Sequence, residues 1–259
     1  MQDQLKVALI QSDLVWENPI LNRLKFTEKI NQIKTEVDVI LLPEMFTSGF
    51  TMSPVNVFET MGGETITWMR KMSKTANAAI GGSLVIQDNQ KFYNRFVFVK
   101  PDGNIETYDK RHTFTLAGED KKYASGEFKV IIKYKGWKIC PLVCYDLRFP
   151  VWARNTHDYD LVCYVANWPK PRIAAWDALL KARAIENMSY CIGVNRVGID
   201  KNAHEYSGHS AGYDSLGALL SQLKDGEEGI IILNLTKKHL RSNREKLMFL
   251  NDKDSFTLK

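Results

Sequence analysis

The chain passes repeatedly through short, unbroken apolar runs that stop at a polar or turn-prone residue. Val39-Ile40-Leu41-Leu42 halts at Pro43-Glu44, Leu142-Val143 at Cys144-Tyr145-Asp146, and Leu161-Val162-Cys163-Tyr164-Val165-Ala166 at Asn167. Runs of this length without polar alternation read as strands covered on both faces, which demands layers on either side of a sheet. The expected strands are Lys6–Gln11, Val37–Leu42, Ala79–Ile86, Phe92–Lys100, Val130–Tyr134, Trp137–Val143, Leu161–Ala166, Tyr190–Val197, His209–Tyr213 and Gly229–Leu235. Helices are expected at Asn18–Lys34, with Pro19 near its first turn, at Glu64–Ala76 and at Arg172–Asn187. In the last of these Trp176, Leu179, Leu180 and Ala184 recur at helical spacing, a core-facing stripe. Pro101-Asp102-Gly103, between Phe92–Lys100 and Ile105–Tyr108, reads as the turn of a hairpin.

Strands alternating with helices give an α/β fold and by themselves leave a Rossmann-like sheet or a barrel open. No Gly-x-Gly-x-x-Gly follows the first strand and no Gly-x-x-x-x-Gly-Lys-Ser/Thr occurs, so phosphate-cradling loops are not indicated. Gly62-Gly63 reads as a turn and Gly81-Gly82 as a close approach of backbones.

Three expected strand ends carry reactive side chains: Glu44, Lys110 in Tyr108-Asp109-Lys110-Arg111-His112, and Cys144. Singly, each has a dull explanation. A cysteine after an apolar run is usually a small buried hydrophobe, Glu44 could be a helix N-terminal acid, and Lys110 a solvated lysine. Jointly they supply what acyl transfer through a thioester needs. A carboxylate takes the thiol proton, and an ammonium stabilises the thiolate and the oxyanion of the tetrahedral intermediate. The same carboxylic acid can protonate a leaving amine and later activate water. The N–H of Tyr145, just after the nucleophile, is a second oxyanion donor.

These segments resemble the nitrilase (carbon–nitrogen hydrolase) superfamily. The likeness runs from Lys6-Val7-Ala8-Leu9-Ile10-Gln11, through Leu42-Pro43-Glu44-Met45-Phe46-Thr47-Ser48-Gly49-Phe50, Tyr93-Asn94-Arg95 and Cys144-Tyr145-Asp146-Leu147-Arg148-Phe149-Pro150, to Ser207-Gly208-His209-Ser210. It implies a catalytic triad of Glu44, Lys110 and Cys144. It also implies a second glutamate that supports the lysine, matched by Glu119 in Glu119-Asp120-Lys121-Lys122-Tyr123-Ala124-Ser125-Gly126, although the stretch from Lys110 to Glu119 is shorter than in many relatives. The fold implied is a four-layer α-β-β-α sandwich, commonly dimerised. No cofactor is expected.

Composition agrees with an enzyme of this kind. With 259 residues, 44% hydrophobic and 25% charged, the chain can bury a sizeable core, expected to be a single domain over 1–259. The net charge of +5 is spread along the chain, which favours solubility over nucleic-acid binding. No stretch approaches the roughly 18 apolar residues of a membrane span, and Met1-Gln2-Asp3-Gln4 lacks the basic-then-apolar order of a signal peptide. The expectation is a cytoplasmic protein without a membrane partner. Cys140, Cys144, Cys163 and Cys191 form no Cys-x-x-Cys pair, and a reducing compartment would keep them as thiols. The five histidines are scattered singly, so no metal site is expected.

The best clue to substrate is Ala166-Asn167-Trp168-Pro169-Lys170-Pro171-Arg172, another expected strand end. Arg172 could grip a carboxylate with its bidentate fork, while Trp168, Trp176 and Phe50 could wall a small apolar pocket. The plainer alternatives are that Arg172 caps its helix and Trp176 is core. Arg148 is expected to pair with a nearby carboxylate for structural reasons. Within the superfamily the whole chain resembles the omega-amidase branch, also through Leu179-Leu180-Lys181-Ala182-Arg183-Ala184-Ile185-Glu186-Asn187. This implies hydrolysis of the terminal amide of 2-oxoglutaramate or 2-oxosuccinamate to the 2-oxo diacid and ammonia, by a homodimer or higher homo-oligomer. Nothing in Ile173-Ala174-Ala175-Trp176 selects one short oxo acid over another. A carbamoyl-amino-acid amidohydrolase, an aliphatic amidase, an ammonia-supplying glutaminase and a non-catalytic binding protein remain as alternatives.

Overall fold

A computed structural model describes residues 2–258; Met1 and Lys259, the ends of the expected domain, lie outside the described residues. The elements are β1 (Gln4–Gln11), α1 (Pro19–Asn31), β2 (Val39–Leu41), α2 (Glu64–Ala76), β3 (Ala79–Asp88), β4 (Lys91–Val99), β5 (Ile105–Asp109), β6 (Ile132–Tyr134), β7 (Trp137–Val143), α3 (Pro150–Ala153), β8 (Leu161–Ala166), α4 (Ile173–Asn187), β9 (Tyr190–Asn195), β10 (Val197–Ile199), β11 (Glu205–Ser207), β12 (Ala211–Tyr213), β13 (Leu219–Gln222), β14 (Gly229–Thr236) and α5 (Lys237–Leu247). They build two six-stranded sheets, ordered β14-β1-β2-β3-β4-β5 and β13-β12-β9-β8-β7-β6, with β10 and β11 as a separate ribbon. The centre of each sheet is parallel, β1/β2/β3 in one and β7/β8/β9 in the other, and the flanking pairs are antiparallel.

The strands' alternation sorts the layers. Leu5, Val7 and Leu9 of β1 face the second sheet together with Val39, Leu41, Phe96 and Phe98, and meet Ile139, Cys163, Val165 and Ile192 there. Ala8 and Ile10, pointing the other way, join Ile40, Ile80, Val97 and Val99 beneath Phe26 and Ile30 of α1 and Ile66, Met69 and Met72 of α2. On the outer face of the second sheet, α4 lays down Trp176, Leu180 and Ala184. The order helices, sheet, sheet, helices is the expected sandwich. Truncating a buried anchor such as Trp176 to alanine should cost about 3–5 kcal/mol. A side chain at Gly82 would come within 2.9 Å of Phe46, the close approach its sequence context suggested.

Local signals set the element ends. The Asn18 side chain caps α1 by accepting the Leu21 N–H at 3.0 Å, ahead of Pro19. The β4–β5 hairpin forms with Arg95 opposite Asp109 and Val99 opposite Ile105. The expected strand Tyr190–Val197 is broken at Arg196, after which β10 leaves the sheet to pair with β11. His209 likewise falls outside β12, its φ of +59° being incompatible with a strand. Helix α5 was not anticipated, because Lys237–Leu247 is polar apart from Leu240 and Leu247. It is held by one apolar anchor, Leu240, and by polar contacts: Lys237 to Asp160 at 2.7 Å, and Arg244 to the carbonyls of Met188 and Tyr159.

Candidate active site

In open parallel sheets, ligands gather beyond the carboxyl ends of the strands. Here such ends of both parallel cores come together, with Asn167 beyond β8 bonded to Glu44 beyond β2. Glu44 follows β2, Cys144 follows β7, Asn167 follows β8, and Lys110 follows β5. The backbone at Glu44 is pinned by Asn167, whose Nδ2 donates to the Glu44 carbonyl at 2.6 Å, and by the Met45 N–H donating to Ser83 Oγ. Lys110 is pinned on both sides: its N–H donates to the Asn94 carbonyl, and its carbonyl accepts from the Gly126 N–H. A Cβ at Gly126 would collide with the Asp109 carbonyl, so this approach requires glycine. Cys144 has φ of +43°, a left-handed conformation costing roughly 1–3 kcal/mol for a residue with a Cβ. It lifts the thiol out of β7 at the start of the 3-10 turn Cys144–Arg148, where the leading N–H groups, including that of Tyr145, lack partners within the turn.

The charged centre is almost wholly buried. Lys110 Nζ donates to Glu44 Oε1 at 3.0 Å and to Glu119 at 2.9 and 3.1 Å. Asn94 Nδ2 bridges the two carboxylates, and Glu119 also accepts the Phe114 N–H. The second Glu44 oxygen accepts the Asn167 N–H at 2.8 Å. Burial by itself would lower the Lys110 ammonium, but the charges of Glu119 and Glu44 outweigh it and hold the group protonated above its ordinary range. Burial pushes the Glu119 carboxyl up, as does the charge of Glu44, against the pull of Lys110. Burial likewise drives the Cys144 thiol well above the ordinary cysteine range; Glu44, within hydrogen-bond reach, and Glu119 add to the effect and Lys110 opposes it. The Cys144 thiol is thus disfavoured from ionising by itself and has Glu44 within reach.

One carboxylate ties the nucleophile's turn to the lysine's loop. Asp146 accepts the Val143 N–H at 3.0 Å and the Tyr108 hydroxyl at 2.8 Å on one oxygen, and the His112 N–H and Nδ1 on the other. His112 stacks on Phe149 with ring centroids 3.7 Å apart. Residues two positions either side of Lys110 and the residue just before Cys144 are thus held by a single buried acid.

Cys144 opens into a cavity of about 250 Å³. Phe50, Tyr145, Trp168 and Arg172, all expected to meet substrate, line it. Lys110 Nζ lies 5.2 Å from the Phe50 ring centroid, and Tyr145 packs edge-on to Phe114. One alternative is settled and one expectation needs correction. Trp176 is core, as its place in the helical stripe indicated: it is fully buried, donates to the His209 carbonyl, and does not wall the cavity. Arg148 makes no ion pair among the described residues. It is exposed at the cavity rim with its guanidinium 4.9 Å from the Trp168 ring centroid, so solvent and the ring, not a carboxylate, accommodate its charge. Asn94, Asn167 and Asp146 were given no individual roles beforehand, although each sits inside a string that carried the resemblance. The wall formed by Phe114, Asp200, His204 and Tyr206 had no sequence signal, since it comes from the β10–β11 ribbon and a loop remote in the chain. No cluster of three or more His, Cys, Asp or Glu suited to a metal ion occurs among the described residues, and none of their helices is long and apolar enough to cross a membrane.

Comparison with known proteins places the arrangement. Residues 6–245 match the model of the carbon-nitrogen hydrolase family. The omega-amidase YafV of Yersinia enterocolitica is 45% identical over 256 residues, covering 98% of each chain. The 2-oxoglutaramate amidase of Bacillus subtilis is 30% identical over 251 residues, covering 95% of this chain and 96% of its own. Among solved structures, a CN-hydrolase superfamily protein from Xanthomonas campestris, described with an arsenic adduct in its active site, superposes with a TM-score of 0.97 at 38% identity over the whole of both chains.

Proposed function

The chain belongs to the carbon–nitrogen hydrolase family, and from that premise we propose that it is an amidohydrolase of the omega-amidase type, cleaving the terminal amide of 2-oxoglutaramate or 2-oxosuccinamate to the 2-oxo diacid and ammonia. The observation that carries the reading is the buried Glu44–Lys110–Glu119 network set against a thiol that opens into a cavity bearing Arg172.

In this reading Glu44 takes the thiol proton as Sγ attacks the amide carbon, which matches a thiol too high to ionise alone. An ammonium has three donors. Lys110 spends one on Glu44 and one, shared between two oxygens, on Glu119, leaving the third for the oxyanion beside the Tyr145 N–H. Collapse breaks the C–N bond, and Glu44 returns its proton to the departing ammonia. Glu44 then takes a proton from water, which attacks the thioester carbonyl; the carboxylic acid leaves and the thiol is restored. Glu119 keeps Lys110 charged and aimed. Arg172 holds the substrate carboxylate, with Phe50 and Trp168 flanking the carbon chain.

Residues 1–259 act as one carbon-nitrogen hydrolase domain in this reading. Cytoplasmic residence is supported by four unpaired cysteines, and a homodimer or higher homo-oligomer by exposed Leu216, Leu219 and Leu220 around β13. The direct test is ammonia release from a panel of small amides by wild type and Arg172→Met. The variant should lose about 1.5–3 kcal/mol in kcat/KM on the 2-oxo acid amide and far less on a neutral amide of equal length. Equal losses on both would remove Arg172 as the carboxylate holder, and no turnover of either 2-oxo acid amide by wild type would overturn the substrate class.

A further inference from the structure

We propose that Arg148 is a specificity-determining residue which, with Arg172, selects a 2-oxo acid amide over the corresponding 2-amino acid amide. This rests on the substrate class above and names the group that reads carbon 2. Other arginines that are buried or half-buried are held by carboxylates, as Arg23 by Glu64, Arg95 by Asp109, Arg183 by Glu186 and Arg196 by Asp13, or by backbone carbonyls, as Arg111 by Gly126 and Arg154 by Glu186. Half-buried Arg172 and Arg148, exposed at the rim, have neither kind of side-chain partner among the described residues, and both line the cavity of Cys144. Each instead lies against an aromatic ring, Arg148 at 4.9 Å from the Trp168 centroid and Arg172 at 5.3 Å from that of Phe114. Stacking supports the guanidinium plane and leaves its edge donors free for a planar acceptor.

Trp168 connects the two. Arg148 rests on its face, and its Nε1 donates to the Arg172 carbonyl at 2.8 Å, while its own N–H is fixed on Asn195. Asp200, a carboxylate that lines the same cavity, forms no ion pair with either arginine among the described residues; its oxygens accept the Tyr206 hydroxyl and the N–H groups of Asn202 and His204. The seat therefore offers two cations and several unused donors to an incoming ligand. A 2-oxo carboxylate presents three oxygens in one plane, all acceptors. Its 2-amino counterpart presents an ammonium at the same carbon, with three donors and a positive charge. The first satisfies both guanidiniums and the second is repelled by them.

The experiment compares kcat/KM for 2-oxoglutaramate and L-glutamine in wild type, Arg148→Gln and Arg148→Lys, with melting curves to establish folding. Arg148→Gln should lower kcat/KM for the oxo acid, chiefly through KM, and narrow its preference over L-glutamine by on the order of tenfold, the effect of one partly solvated unit charge. Arg148→Lys, keeping charge but losing the fork, should retain more of that preference. A preference unchanged in folded Arg148→Gln overturns the proposal. If wild type turns over 2-oxoglutaramate in that same experiment, the substrate class stands and only the role of Arg148 falls.

Discussion

Replacing Glu119 by glutamine separates the reactivity of the thiol from the rate of turnover, which should move in opposite directions. Glu119 contributes a negative charge that raises the Cys144 thiol, while serving Lys110 with two contacts at 2.9 and 3.1 Å. The Glu119→Gln side chain keeps the shape and one acceptor but removes the charge, so the unbalanced Lys110 ammonium should favour the thiolate. A unit charge several ångströms away at an effective dielectric of about 20 is worth roughly 2 kcal/mol, or about thirtyfold in thiolate population. Because a more acidic thiolate is also a weaker nucleophile, the net gain in alkylation rate should be about fivefold at neutral pH. Turnover should instead fall by about tenfold or more, since an ammonium with one anchor gone no longer meets the oxyanion in a fixed geometry. Iodoacetamide labelling followed by mass spectrometry reads the first quantity and ammonia release the second. Slower labelling in a folded variant would refute the electrostatic argument, and unchanged turnover would refute the supporting role of Glu119.

Cys144→Ala should abolish amidase activity and leave the melting temperature within a few degrees of wild type; more than a few per cent residual activity would exclude the thioester route. Asp146→Asn places an amide N–H against the donors of Val143, Tyr108 or His112, so kcat should drop by about a hundredfold with a smaller change in KM, and stability should fall by about 2–4 kcal/mol in urea titrations. Glu228 binds the Asp13 N–H, Lys25 and Lys29, which together outweigh burial and hold its carboxyl down to about 2 from an ordinary 4.5. Its folded value lies below its unfolded one, so its stabilisation is present above about 4.5 and is lost as pH falls toward about 2. Its solvent exposure limits that contribution to about 1 kcal/mol. Glu228→Gln should therefore melt lower than wild type at pH 7, with the gap closing by pH 2.

The legible parts of the fold were those in which local pattern and tertiary role coincide. Leu161–Ala166 is apolar on both faces because α4 covers one side and the first sheet the other, and its strand bounds were read without error. The strand ends carrying Glu44 and Cys144 were legible for the same reason, since each apolar run stops where the sheet stops, whereas Lys110 follows the mixed strand Ile105–Asp109 and was legible as the end of a hairpin. Helix α5 lay hidden because its anchoring depends on Asp160 and two carbonyls, not on an apolar stripe. Arg148 was misread as an ion-pair partner because charge in a sequence does not say what it faces; the 3-10 turn aims it at Trp168. Trp176 and Trp168 look alike in sequence, yet one is in the helix stripe and the other on the loop before it, so only the latter reaches the cavity.

The way the acid–base centre straddles the interface between the sheets has a consequence for folding. Glu44, Asn94 and Lys110 come from the first sheet or its ends, Cys144 and Asn167 from the ends of strands in the second. A folding intermediate with either sheet formed alone would hold a cysteine without a base or a base without a cysteine, and could not be acylated. Competence to form the acyl-enzyme thus reports docking of the two halves. During refolding it should appear only in the last phase, after far-UV circular dichroism has already reached its native value.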